Sequence, residues 1–265
     1  MTQTLAICTH KGGTGKTVTA LSLATGIADD GQRCLLVDLD PQAHSTIGIG
    51  LDVYEPSLKE FFERHPGLPL REVIQSAPEN PNLDIAPSDL RLAWTAEGLS
   101  GRPKKEELLR RSLRDVEDSY DWIVIDTPPS LGVLTQNALT ASGLVLIPAV
   151  AEARATNAIA DLLELVHVLK GPAFDTYRIL LTRVDSRKTV TNLAVIKALE
   201  PWKDKILSTF IPQSEPLNQA QMASKDIFRF APDSPGAAAY RELIDEIKKT
   251  YKKASNKVVQ ITRYS

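Results

Sequence analysis

Cysteine is scarce in this sequence, with only Cys8 and Cys34 in 265 residues. Both sit in apolar runs without metal-ligand spacing. That excludes a disulfide-stapled scaffold and a cysteine-held cluster, and fits two buried thiols in a reducing compartment. Charge of one sign is lacking too. The 31 Lys and Arg nearly balance the 33 Asp and Glu, for a formal net charge of −2, so any contact with nucleic acid needs a local patch. No apolar run approaches the ~20 residues of a membrane helix. The first strand-like run starts so close to Met1 that a signal peptide has no room. His10, His44, His65 and His167 show no metal spacing. These absences leave a cytoplasmic protein, and 43% hydrophobic with 24% charged residues suit one large core.

What is present is a recurring strand pattern. Apolar runs at Leu5–Thr9, Cys34–Asp38, Leu83–Ala86, Trp122–Asp126, Gly143–Pro148, Tyr177–Thr182 and Ile206–Phe210 read as strands, several of them apolar at every position. Strands buried on both faces of a parallel sheet read this way. Helical patterns at Val18–Asp29, Lys104–Asp118, Ala155–Leu169, Thr191–Glu200 and Ala237–Lys253 alternate with them. The expected fold is α/β, a doubly wound, mostly parallel sheet with helices on both faces. One domain is expected over residues 1–253, followed by a basic polar tail, 254–265.

The segment His10-Lys11-Gly12-Gly13-Thr14-Gly15-Lys16-Thr17 follows the first strand and precedes a helix. Strand, glycine turn and helix start in that order make a phosphate cradle. Backbone N–H groups converge on oxygens, and the helix N-terminus adds partial positive charge. Lys16 would reach the β- and γ-phosphates, and the Thr17 hydroxyl would hold Mg²⁺. The full phosphate-loop pattern has glycine where His10 stands, and a second lysine, Lys11, occupies the mouth of the loop. Two later strands end in carboxylates: Val37-Asp38-Leu39-Asp40-Pro41-Gln42 and Ile125-Asp126-Thr127-Pro128-Pro129-Ser130. Asp126 suits Mg²⁺ held through water beside a phosphate loop, and Asp40 suits alignment of an attacking water.

These three blocks resemble the deviant Walker-A ATPases of the ParA/Soj branch of the ParA/MinD family, a type of P-loop NTPase. The resemblance continues through Thr135-Gln136-Asn137-Ala138-Leu139, Leu181-Thr182-Arg183-Val184-Asp185 and Phe210-Ile211-Pro212. It implies an ATP- and Mg²⁺-dependent homodimer with two nucleotides between the subunits. Lys11 would reach the partner's nucleotide, Asp40 would align water, and Asp38 would sit near the metal with Thr17 and Asp126. Gly12, Gly13, Thr14, Gly15, Lys16, Thr17 and Val18 would form the phosphate-binding segment, with Arg183 and Pro212 nearer the base. The resemblance further implies slow ATP hydrolysis stimulated by a ParB-like cargo adaptor. The ATP form would bind double-stranded DNA without sequence preference and would be nucleoid-associated.

Gln213 stands where many relatives carry arginine, and the segment from Ala149 to Arg154 lacks the aromatic common there, with Arg154 suiting a surface charge or a switch contact. Just past the Tyr177–Thr182 run, Arg183 and Asp185 suit either a purine contact or an exposed strand end. Lys248, Lys249, Lys252, Lys253 and Lys257 suit either a phosphate-tracking DNA patch or a solubilising helix end. A membrane-positioning ATPase resembling MinD is the alternative. It would want large apolar residues on one face of the terminal helix. A cluster-holding relative of the nitrogenase iron protein would need cysteines elsewhere. A scaffold without turnover would not need Lys11, Lys16, Asp40 and Asp126 together.

Overall fold

The computed structural model describes residues 2–52, 55–150, 155–223 and 225–262, and for residues 155 and 252–262 the backbone only. The apolar runs form β1 (Gln3–Ile7), β2 (Cys34–Asp38), β4 (Leu83–Ala86), β5 (Trp122–Asp126), β6 (Leu144–Val150), β7 (Tyr177–Val184) and β8 (Ile206–Pro212), joined by a two-residue β3 (Gln75–Ser76). They make one sheet in the order β3-β4-β2-β5-β1-β6-β7-β8, parallel throughout except for the β3–β4 pair. The expected doubly wound architecture is present. Alternate residues of single strands divide between two cores, which is why these runs are apolar at every position. Ala6, Leu35, Ile123 and Val145 enter one core, while Leu5, Leu36, Val124 and Leu144 enter the other.

One core is covered by α1 (Lys16–Asp29) and α11 (Pro235–Thr262), the other by α5 (Leu108–Leu113), α6 (Val133–Ala141) and α7 (Ala155–Lys170). Shorter helices fill the connections: α2 (His44–Gly48), α3 (Leu58–Arg64), α4 (Leu92–Gly98), α8 (Thr189–Ala198), α9 (Glu215–Met222) and α10 (Ile227–Phe230). The terminal helix is tied to the sheet. Tyr240 Oη lies 3.1 Å from Thr19 Oγ1, and Glu246 accepts bonds from the Ser208 and Thr209 amides of edge strand β8 at 2.8 and 2.9 Å. Its backbone stays helical through Thr262, past the expected end at Lys253.

The helix expected over Lys104–Asp118 is broken into a 3₁₀ turn at Lys105–Glu107, α5, and a second 3₁₀ turn at Glu117–Ser119. Asn137 on α6 accounts for the first break. Its amide donates to the Lys105 carbonyl at 2.8 Å and accepts from the Leu109 amide at 3.0 Å, replacing the i→i−4 bond between those two residues.

Lys170 closes the end of α6, its ammonium donating to the Leu139 and Ser142 carbonyls at 2.9 and 2.7 Å. Burial, with repulsion from Arg110, lowers its pKa to about 8. An unfolded chain keeps the proton to about 10.4. Between those values the unfolded state binds more protons, so this residue makes stability rise with pH across that window and contributes no slope below it. Thermal unfolding followed from pH 7 to 11 is expected to show that rise, and Lys170→Met to flatten it.

Candidate functional site

The carboxyl ends of β1, β2, β5 and β7 meet where β1 sits between β5 and β6, the place where parallel α/β sheets bind ligands. The turn after β1 is glycine-built for a reason. Gly13 and Gly15 take φ of +70° and +86°, a region that strains any side chain, and Gly15 is the residue that starts α1. A Cβ added at Gly12, Gly13 or Gly15 would meet nothing within 4 Å, so the loop leaves open space beside its backbone. That is the form of a cradle for an anion at a helix N-terminus.

Lys16 is buried beneath this loop, and its ammonium donates to the Lys11 carbonyl at 3.3 Å. Burial lowers its pKa, against the opposing pull of the Asp126 and Asp40 carboxylates. Thr14 also binds back to the Lys11 carbonyl, at 3.4 Å, and Thr182 at the end of β7 donates to the Thr14 carbonyl at 2.9 Å. Arg183, at φ +54°, donates to the Gly13 carbonyl at 3.4 Å. The loop is thus fixed from inside and from the neighbouring strand end.

Parallel register places Asp38 of β2 opposite Asp126 of β5, and both are fully buried. Asp38 accepts from the Asp40 amide at 3.1 Å and from the Thr46 amide and hydroxyl at 2.8 Å each. Asp126 accepts from the Ser45 hydroxyl at 2.8 Å and the Thr127 amide at 2.9 Å. Burial raises both pKa values. The Asp126 charge adds to the rise of Asp38, and the Asp40 charge to that of Asp126. Two carboxylates this close, with the Thr17 hydroxyl bonded to Asp126, form a hard-oxygen donor set that a divalent cation would relieve. Asp40, also buried, receives the Gln42 amide at 3.0 Å in a turn leading to α2.

A cavity of about 420 Å³ opens above the loop. Gly12 through Val18, Asp40, Arg183 and Pro212 line it, as expected of residues that contact one ligand. Lys11 does not. It flanks a separate small gap, with Pro148 and Ile159. Asp38 and Asp126 lie outside the cavity lining. Asp185 turns to Arg187, which donates to it at 2.9 Å and holds its pKa down to about 2, so its carboxylate is taken up within its own turn. Of the expected DNA lysines, Lys249 is exposed, whereas Lys248 pairs with Asp30 at 2.5 Å. The side chains of Lys252, Lys253 and Lys257 fall outside the described residues, as does Arg154. Gln213 lines the cavity and bonds through its amide to the Val184 carbonyl at 3.0 Å.

Several site residues carried no sequence signal. Asn218 and Gln221, three residues apart on α9, and Tyr240 of α11 line the cavity, but no motif marks them. Ser45 and Thr46 were findable as a hydroxyl pair in α2, shortly after Asp40.

A family model described as an AAA domain matches residues 2–175. The sporulation initiation inhibitor protein Soj of Bacillus subtilis is 34% identical over 93% of this chain and 98% of its own. A plasmid partition protein from Borrelia burgdorferi bound to AMPPNP superposes with a TM-score of 0.79 at 27% identity, covering 96% of this chain and all of the other. Cobyrinic acid a,c-diamide synthase from Mycobacterium smegmatis, solved with an ATP analogue and magnesium, gives 0.80 at 28% identity over 96% and 97%. With its phosphate loop, its strand-end carboxylates and this near end-to-end match, the chain belongs to the ParA/Soj family of P-loop ATPases.

Proposed function

We propose that this protein is an ATP- and Mg²⁺-dependent dimerising ATPase that binds DNA without sequence preference and partitions or positions a large cargo, with a ParB-like adaptor stimulating hydrolysis. The carrying observation is that Lys16 lines the main cavity of the phosphate loop while Lys11 lines a separate gap beside it, in a chain matched nearly end to end by a Soj protein. Lys16 serves the nucleotide of its own subunit. Lys11, off the wall of that cavity, is assigned to the partner's nucleotide, a cation completed only in the dimer.

The amides of Gly12 to Thr17 and the Lys16 ammonium hold the phosphates, while Val18, Arg183 and Pro212 flank the rest of the nucleotide. Thr17, Asp38 and Asp126 supply oxygen donors for Mg²⁺. When bound, that cation spreads phosphate charge. Asp40 accepts a hydrogen bond from the attacking water and turns its lone pair toward the γ-phosphate. Catalysis rests on Lys11, Lys16 and Asp40. Lys249, Lys252, Lys253 and Lys257 of α11 track DNA phosphates. The ATP-bound protein is nucleoid-associated and does not require a membrane.

The test is binding to unrelated duplexes with Mg²⁺-ATP, Mg²⁺-ADP or no nucleotide. Binding is expected with ATP alone. It should weaken by ~10³-fold or more between about 50 and 200 mM salt if the dimer engages six or more phosphates. No binding in any state would reject the DNA reading and leave the ATPase. A vesicle arm would then test the MinD-like alternative.

A further inference from the structure

The carboxylates of Asp38 and Asp126 are held by more than the fold requires. Both are fully buried side by side, and among the described residues no Lys, Arg or His nitrogen lies within 4.0 Å of either. Two carboxylates in that position without a cation destabilise a fold whatever hydroxyls surround them. Capping explains only part of the arrangement. Asp38 accepts the Thr46 amide in the first turn of α2, which satisfies one orphan donor of that helix. It does not account for the Asp126 carboxylate, nor for the two hydroxyls that α2 sends down to the pair. Ser45 Oγ donates to Asp126 Oδ2 and Thr46 Oγ1 to Asp38 Oδ2, each at 2.8 Å, and both residues are fully buried.

The Thr46 hydroxyl has one direction open to it. Its oxygen accepts the amide of Ser88, beyond β4, at 3.0 Å, which leaves its hydrogen for Asp38. With the Thr46 amide on the same oxygen and the Asp40 amide on the other, Asp38 cannot turn without breaking three bonds. Ser45 does the same for Asp126, against the Thr127 amide on the second oxygen and the Thr17 hydroxyl. A carboxylate offers about four lone-pair directions, so each keeps one for a cation after these three bonds. Adjacent residues of one short helix thus fix the carboxylates of two neighbouring strands. We infer that Ser45 and Thr46 are positioning residues for the divalent cation, their hydroxyls fixing Asp126 and Asp38 before it arrives. Cation binding then costs no ordering of those side chains. The inference rests on the Mg²⁺ reading of the site.

The test is calorimetric titration of AMPPNP into the full-length protein, once in EDTA and once with Mg²⁺. The ratio of the two affinities measures what the cation contributes, without any turnover. Ser45→Ala is expected to lower that ratio by ~10-fold or more and to leave the affinity in EDTA unchanged. Among the described residues the Ser45 hydroxyl bonds to Asp126 alone, so this variant should fold as the parent does. Thr46→Val should lower the ratio as well, but it also strands the buried Ser88 amide. Thr46→Ser keeps the hydroxyl and should restore the parent ratio. Hydroxyls that only braced α2 would weaken the nucleotide equally with and without Mg²⁺, and that result overturns the inference. So does a parent-like ratio in Ser45→Ala and Thr46→Val when the parent itself responds to Mg²⁺. A parent with the same affinity in EDTA and in Mg²⁺ rejects the cation reading, and this inference with it.

Discussion

Asp40→Ala is expected to lower ATP turnover by ~10²–10³-fold while leaving ATP binding intact, so that the ATP-bound dimer accumulates. The geometry separates these effects. Asp40 lines the cavity, and its charge acts on both Lys16 and Asp126. Removing a negative charge from a site built for phosphates does not weaken their binding, but it removes the acceptor that would align water. Asp40 also shapes its own turn by accepting the Gln42 amide, so alanine alone confounds chemistry with loop structure. Asp40→Asn keeps an oxygen for that amide and loses the charge. Both variants should hydrolyse slowly and show a lengthened ATP-dimer lifetime by single-turnover kinetics and size-exclusion chromatography. Unchanged turnover in the asparagine variant would move the water-aligning role to another residue.

Lys11→Ala should abolish partner-stimulated hydrolysis, a loss on the ~10³–10⁵ scale of a cation supplied in trans, and spare nucleotide binding. The sparing follows from the contacts. The Lys11 carbonyl accepts the Lys16 ammonium and the Thr14 hydroxyl, and its amide donates to Thr9 at 3.5 Å. Alanine retains all three. Mixing Lys11→Ala with Asp40→Ala subunits distinguishes trans from cis action. In a mixed dimer acting in trans, the first subunit has its own Asp40 and receives Lys11 from the second, so one site of two is competent. An equal mixture should recover roughly one quarter of the parent's stimulated activity, because half of random dimers are mixed. Action in cis leaves both sites dead, and no activity returns.

The phosphate loop, α1 and the strands were legible because their signals are local. Consecutive glycines, a lysine–threonine pair at a helix start and uninterrupted apolar runs each need only neighbours in the chain. Strand ends beyond Thr182 and Phe210 were less so, since pairing carries β7 and β8 two residues further. The Lys104–Asp118 pattern is helical in composition, yet the Asn137 side chain, 28 and 32 residues further on, interrupts its first turn.

By itself, then, the sequence determined where a nucleotide's phosphates would be held and that the sheet would be parallel and covered on both faces. The physical reason is that glycine conformational freedom, helix-start electrostatics and two-sided burial act within a few residues. Only tertiary structure decided that Asp38 and Asp126 stand side by side, because that depends on β2 pairing with β5 in one register. It also decided that Tyr240, more than two hundred residues from the loop, closes its cavity, and that Lys248 turns to Asp30. Helix α8 is the sharpest case. Its apolar residues lie on several sides, and only packing decided that Val195 is buried while Val190 and Leu193 meet water.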